Sequence, residues 1–268
     1  MLGGIAFGLS LKSAIFWGML LSLSSTAIVL KALAERRENE TLHGRSAIGI
    51  LIFQDLAVVP MMLMTPFLSE EGVEGMSQIF WTLVQSLILV ITVVIAARYF
   101  VPKLLAHIVR TRSRELFLLT VVVLGLGTAW LTSLAGLSLA LGAFIAGLLI
   151  SESEYSHQAL AEVLPFRDSF NSLFFVSIGM LLDPRVLLDH PLLILAMVVT
   201  VFIGKFLAGA GAVLTAGVPL RSGVLAGVAL AQVGEFSFIL AQEGLKEGIL
   251  YQDTYNVFLA VSIITMII

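Results

Sequence analysis

The side chains of this sequence that could do chemistry are few, and most of them interrupt apolar runs. Asp55 follows Gln54 inside Ser46-Ala47-Ile48-Gly49-Ile50-Leu51-Ile52-Phe53-Gln54-Asp55-Leu56-Ala57-Val58-Val59-Pro60. Arg45 stands ten residues earlier. On a helix the acid would therefore lie about 15 Å from the charged end, near the middle of a ~30 Å hydrocarbon slab. An ionisable group at that depth is costly and marks function; the structural alternative is a carboxylate capped by neighbouring hydroxyls. Lys205 is fourteen residues from both Pro191 and Pro219, which also puts it near a midplane, either as a charge partner for Asp55 or as half of a structural ion pair. Two polar interruptions, Ser22 to Thr26 and Gln232-Val233-Gly234-Glu235, are the mark of discontinuous helices whose half-helix dipoles face an ion. For either one alone, ordinary helix packing through Ser and Gly is the alternative.

Together these residues fit the exchange of a proton for a cation. Desolvation favours a neutral acid and a nearby ammonium favours a charged one, so a carboxylate held between the two influences can take up either a proton or a monovalent ion. A hard alkali ion wants oxygen ligands, which Ser25, Thr26, Gln54 and unwound backbone carbonyls could provide. One acid in the Gln54-Asp55 pair, with no second carboxylate beside it, predicts one cation per proton. Such a cycle moves no net charge and barely feels a potential worth about 2.3 kcal/mol per charge per 100 mV. Beyond the transported ion no metal is expected, and no cofactor.

The elements that must position these groups are membrane helices. Hydrophobic residues make up 59% of the chain and charged ones 12%, with a mean hydropathy of +1.04; a soluble domain carries about twice that charged fraction. Apolar runs of helical length favour an α-helical bundle over a β-barrel, and the absence of Cys excludes a disulfide framework. The fold class is therefore all-α integral membrane. Residues 1–11 resemble the tail of a preceding element. Spans are expected at Ser13 to Leu30, Ser46 to Leu68, about Ile79 to Ala97, and Leu116 to Ile150, which is long enough to be split in two near Ser133-Leu134-Ala135-Gly136. Others follow at Phe166 to Leu182, Pro191 to Ala216 and Arg221 to Gln242, with a last one from Thr254 still apolar at Ile268. The whole chain, 1–268, is expected to be one partial transporter domain of about nine helices or helix remnants, truncated at both ends, with no soluble regulatory domain.

Charge alternation supports this segmentation. With the Lys31 to Arg45 loop in the cytoplasm, the loops at Arg98 to Arg114, Ser151 to Arg167 and Pro219 to Arg221 fall there too. Eleven of the fifteen Lys and Arg then lie inside, with Lys12, Arg185 and Lys246 outside and Lys205 within a span, as the positive-inside rule requires. The run Arg110-Thr111-Arg112-Ser113-Arg114 is an anchor of that kind and not a nucleic-acid patch. His43, His107 and His157 are expected as solvated residues of cytoplasmic loops, and His190 of an outer one. Glu235 is expected inside the second break, as its stabiliser or as a gate or proton relay.

Several of these stretches carry a family resemblance. Ser24-Ser25-Thr26-Ala27-Ile28-Val29-Leu30, Gly44-Arg45 through Pro60, Leu141-Gly142-Ala143-Phe144-Ile145-Ala146-Gly147, Pro165-Phe166-Arg167 through Gly179-Met180, and Gln232-Val233-Gly234-Glu235-Phe236 resemble, in order and over nearly the whole chain, the Kef-type members of the second monovalent cation:proton antiporter family. The resemblance implies a sodium/proton-antiporter-like fold with inverted repeats and two crossing discontinuous helices, Ser13 to Leu30 and Arg221 to Gln242. It implies an elevator-type cycle in a bacterial or archaeal cytoplasmic membrane, a homodimer in the full-length protein, and early helices lying before residue 1. Asp55, Gln54, Thr26 and Ser25 would bind cation and proton, Lys205 would be the family's basic residue, and Gln232, Gly234 and Glu235 would form the second crossing. The Phe53-Gln54-Asp55 pattern resembles the potassium-handling branch, with sodium the alternative. A regulatory loop of glutathione-gated relatives corresponds to Ser151 to Pro165, but of its acidity just before Pro165 only Glu162 remains here, which puts such gating in doubt. A ligand-gated potassium channel and an inactive fragment are the rival readings.

Overall fold

The computed structural model describes residues 10–69, 98–133 and 139–268, with the single positions 88, 92 and 95. The acidic loop of Glu70, Glu71 and Glu74, almost all of the expected third span and the split at Leu134 to Gly136 lie outside the described residues. Every regular element among the described residues is helical. Four stretches are long and apolar enough to cross a membrane: Leu11–Arg36, Leu42–Leu68, Arg114–Ser133 and Pro191–Thr215.

Local signals account for where the helices begin and end. Helix α1 (Leu11–Ser22) starts at Ser10, whose hydroxyl accepts from the Ser13 amide. Chain geometry is extended at Leu23 and Ser25, and α2 (Thr26–Arg36) restarts with the Ser25 hydroxyl accepting from the Ile28 amide. Such a cap satisfies one of the donors a helix start leaves open. Arg37 in the left-handed conformation ends α2, and Thr41 caps α3 (Leu42–Met64), which runs on into a 3-10 turn, Thr65–Leu68. The charged loop expected from Lys31 to Arg45 is thus mostly helix. Its charges sit on helical ends that capping residues define, whereas hydropathy marks only the apolar part of a helix.

Helices α4 (Arg114–Ser133) and α5 (Leu139–Ser151) pack against each other, a Cβ on Gly142 standing 2.7 Å from the Ala129 Cα. The expected loop Ser151 to Pro165 is corrected: α6 (Ser156–Leu181) begins well before Pro165 and carries that proline inside it. A proline forfeits one internal hydrogen bond but does not always end a helix. A short α7 (Pro184–Asp189), capped by Asp183, then precedes α8 (Pro191–Thr215). The second expected crossing helix is α9 (Leu220–Ala229) and α10 (Glu235–Lys246), interrupted between them, and α11 (Gln252–Ile267) completes the described chain.

The chain divides into two compact units, one of residues 1–72 and 178–268 and one of residues 73–177. In the second, a helical stretch at residues 98–109 packs Val101 and Leu105 against Phe117, Val121 and Ala159. There the Arg114 guanidinium also holds Glu162, with Nε 2.7 and 2.9 Å from the two carboxylate oxygens. In the first, Val29 and Leu33 of α2, Ala47 and Leu51 of α3, Val213 of α8 and Ala226 and Leu230 near the second break form one buried cluster. Phe258 of α11 makes edge contacts with Trp17 and Phe238. His43 corrects its expectation: it lies in the first turn of α3 with its side chain 12% exposed and Nε2 3.2 Å from a Glu38 carboxylate oxygen. His107, His157 and His190 are exposed.

Helices α8 and α9 cross at small residues. A methyl group on Gly227 would stand 2.7 Å from the Phe206 carbonyl oxygen and 2.8 Å from the Ala210 Cβ, closer than carbon atoms approach without displacing backbone. Because overpacking of this kind costs about 1–3 kcal/mol, Gly227→Val is expected to lower the thermal midpoint of the full-length protein clearly. Gly211→Ala, with open space around it, is expected to leave the midpoint unchanged; equal midpoints for the two variants would contradict the packing described.

Candidate functional site

The two breaks cross each other inside the first unit. The amide of Gly234 donates to the Leu23 carbonyl at 3.0 Å, the Ser24 hydroxyl donates to the Leu230 carbonyl at 2.9 Å, and the Ser237 hydroxyl donates to the Leu20 carbonyl at 2.7 Å. Gly234 is required by this approach, since a Cβ there would run into the Ser24 backbone. Thr265 on α11 supports the second break by accepting from the Val233 amide at 3.2 Å. Each broken helix presents a C-terminal end, with open carbonyls, and an N-terminal end, with open amides. The groups around the crossing match that polarity.

Lys205, on α8, meets the C-terminal end of α1. Its ammonium donates to the Leu21 carbonyl at 2.8 Å and to the Leu23 carbonyl at 2.9 Å, which places a positive charge where the half-helix dipole is negative. The ion pair with Asp55 that the sequence suggested is absent among the described residues; in this structure Lys205 is a partner of backbone. Glu235 meets the N-terminal ends. It is the first residue of α10 and not part of the break, and its Oε1 accepts from the Ala27 amide, in the first turn of α2, at 3.3 Å. Its Oε2 and the Nε2 of Gln232 are buried without a hydrogen-bond partner.

Asp55 is half-buried on α3 and faces the start of α2. The Thr26 hydroxyl lies 3.2 Å from each of its oxygens. The carboxylate thus sits at a helix N-terminus, where a negative charge is favoured, yet among the described residues its only side-chain donor is one shared hydroxyl, so it retains acceptor capacity. Ser25, fully buried, is occupied as a cap through one lone pair of its hydroxyl. Gln54 reaches the other side of the break: its Oε1 accepts from the Ser24 amide at 2.9 Å and its Nε2 donates to the Ser22 carbonyl at 2.8 Å. The structure thus gathers Asp55, Gln54, Thr26, Ser25, Lys205, Gln232, Gly234 and Glu235 around one crossing. Ser24, Ser237 and Thr265 belong to the same assembly. Ser24 belongs to the interruption that the sequence marks, whereas the signal of Ser237 and Thr265 is only that of hydroxyls in apolar helices. No group of three or more acidic, His or Cys side chains that could hold a resident metal occurs among the described residues.

Over residues 1–268 the chain matches the family model described as sodium/hydrogen exchanger, transmembrane. The chain belongs to that family. Its curated relatives include YbaL of Escherichia coli, provisionally named a cation/proton antiporter, 38% identical over 97% of this chain and 48% of that protein. K(+) efflux antiporter 6 of Arabidopsis thaliana is 38% identical over 90% of this chain and 42% of that protein. A glutathione-regulated potassium-efflux system protein of Haemophilus influenzae is 31% identical over 97% of this chain and 42% of that protein. The chain therefore spans about half or less of the length of these relatives, and the Kef-type resemblance holds along it. This exchanger-family domain is an integral membrane protein.

The geometry orders the side chains of this exchanger domain by structural cost. Lys205→Met leaves two break carbonyls without their charged donor, a loss of about 3 kcal/mol for hydrogen bonds of this kind. Asp55→Asn still accepts from Thr26. In thermal unfolding of the purified full-length protein, Lys205→Met is expected to be markedly the less stable of the two, and equal stability would contradict the role given to Lys205.

Proposed function

We propose that the full-length protein exchanges a monovalent cation, potassium, for a proton across the membrane by alternating access, with Asp55 as the group that holds one or the other. The observation that carries this reading is the half-buried Asp55 carboxylate at the start of α2, beside a crossing of two broken helices, with the Thr26 hydroxyl 3.2 Å from each of its oxygens. An alkali ion at that point finds a charge and hard ligands; a proton finds the same carboxylate. Family membership supports exchange, and the names of the relatives from Arabidopsis and Haemophilus support potassium over sodium. Lipid surrounds the domain, and a homodimer moving its core by an elevator-type motion in a bacterial cytoplasmic membrane is the assembly that fits the resemblance.

The stoichiometry follows from charge. One carboxylate takes one proton in one direction and one monovalent cation in the other, so the loaded site is neutral in both transits. In proteoliposomes with a pH-sensitive dye, potassium-driven exchange by the full-length protein is expected to be unaffected by an imposed potential, and Asp55→Asn is expected to abolish exchange while the protein remains folded. A rate rising steeply with potential would refute the one-for-one cycle. Exchange at the unsubstituted rate in Asp55→Asn would refute the site, and exchange driven by sodium alone would refute the ion.

A further inference from the structure

We propose that Gln54 is a positioning residue that clips the first break to the Asp55 helix, and not a ligand of the transported cation. The inference rests on the reading of Asp55 as the exchange site, and it changes the role of that residue's neighbour. Its starting point is the conformation of the break, which is extended at Leu23 and Ser25. In extended chain, successive residues turn to opposite sides, and from the last two residues of α1 into the break the backbone groups go alternately to two partners. The Leu21 and Leu23 carbonyls go to Lys205. The Ser22 carbonyl and the Ser24 amide, between and beyond them, go to Gln54.

Gln54 therefore meets the break as a neighbouring strand would, with one acceptor and one donor at 2.9 and 2.8 Å. This turns Oε1, its only atom able to ligate a cation, onto a backbone N–H. Only an amide of this length meets both demands with fixed polarity: an ionised carboxylate can accept from Ser24 but opposes its second oxygen to the Ser22 carbonyl. The adjacent Asp55 then receives Thr26, two residues past Ser24, from the same break. Two consecutive residues of α3 thus hold the segment from Ser22 to Thr26, the first fixing its backbone and the second facing the ion. The clip sets the distance between Asp55 and the hydroxyl of Thr26. It also dictates an uncharged neighbour for Asp55, so the single carboxylate of the Gln54-Asp55 pair follows from backbone geometry.

The test uses the full-length protein in lipid nanodiscs and reads two quantities, hydrogen exchange at the Ser24 amide and the dependence of transport on potassium. In the unsubstituted protein the Ser24 amide is expected to exchange slowly with or without potassium; rapid exchange there overturns the proposal even if no variant folds. In Gln54→Met, which offers the Ser24 amide no comparable acceptor, that amide is expected to exchange about tenfold faster, the loss of about 1.4 kcal/mol of local protection. The maximal rate is expected to fall by about the same factor, with KM for potassium within about twofold of the unsubstituted value. A ligand role predicts otherwise: Gln54→Met would raise KM at an unchanged maximal rate, Gln54→Glu would lower KM by adding a charged ligand, and Ser24 would stay protected. Either pattern overturns the clip. Because Ser24 exchange is read without transport, a failure of the Asp55 assignment would be seen separately, as exchange persisting in Asp55→Asn.

Discussion

Unwinding a helix in an apolar slab releases amides and carbonyls that water cannot reach, and the whole assembly follows from where those groups find partners. Each one left without a partner costs about 1–3 kcal/mol, so two breaks in isolation would not persist. Here they answer each other through the Gly234 amide on the Leu23 carbonyl and the Ser24 hydroxyl on the Leu230 carbonyl. The remainder falls to side chains from other helices: Lys205 on carbonyls at one half-helix end, Glu235 on an amide at another, Gln54 on both kinds at once. Asp55 differs from all of them. It receives one hydroxyl and is bound to no backbone group of the break, which leaves it able to change its occupant while the crossing stays formed.

This division explains how charge can be concentrated near a membrane midplane without being wasted. Lys205 and Glu235 carry opposite charges and stand at opposite poles of the half-helices, where each is favoured by the dipole it meets. Asp55, at the N-terminal pole of α2, draws on the same dipole, so in the proposed cycle the carboxylate is supported with the cation and the cost of its charge is moderated without it. A site whose supporting groups are committed to backbone and whose exchanging group is not has the makings of an antiporter, in which the crossing must survive both loaded states.

Much of this was legible in the sequence, and what was hidden was hidden for a physical reason. The two breaks, the acid and the lysine within apolar helices announce themselves, because a polar residue within an apolar run of helical length has few explanations. The partner of Lys205 did not. The sequence offered Asp55 as the nearest opposite charge in kind, but an unwound carbonyl is an equally good acceptor and every residue carries one. The same blindness covers Gln54, whose two bonds are to backbone, and Ser237 and Thr265, whose hydroxyls look like those that any packed membrane helix carries. Helix limits were misread where caps and not hydropathy decide them, as at Thr41, and where a proline is tolerated inside a helix, as at Pro165.

The account stands on competition between a proton and a cation for one carboxylate. Potassium added to the purified full-length protein in weakly buffered solution measures this directly, since a cation that displaces a proton from its ligand releases it to the medium. The account predicts about one proton released per potassium ion bound, and no release from Asp55→Asn. Potassium binding with no accompanying proton release by the unsubstituted protein would contradict it.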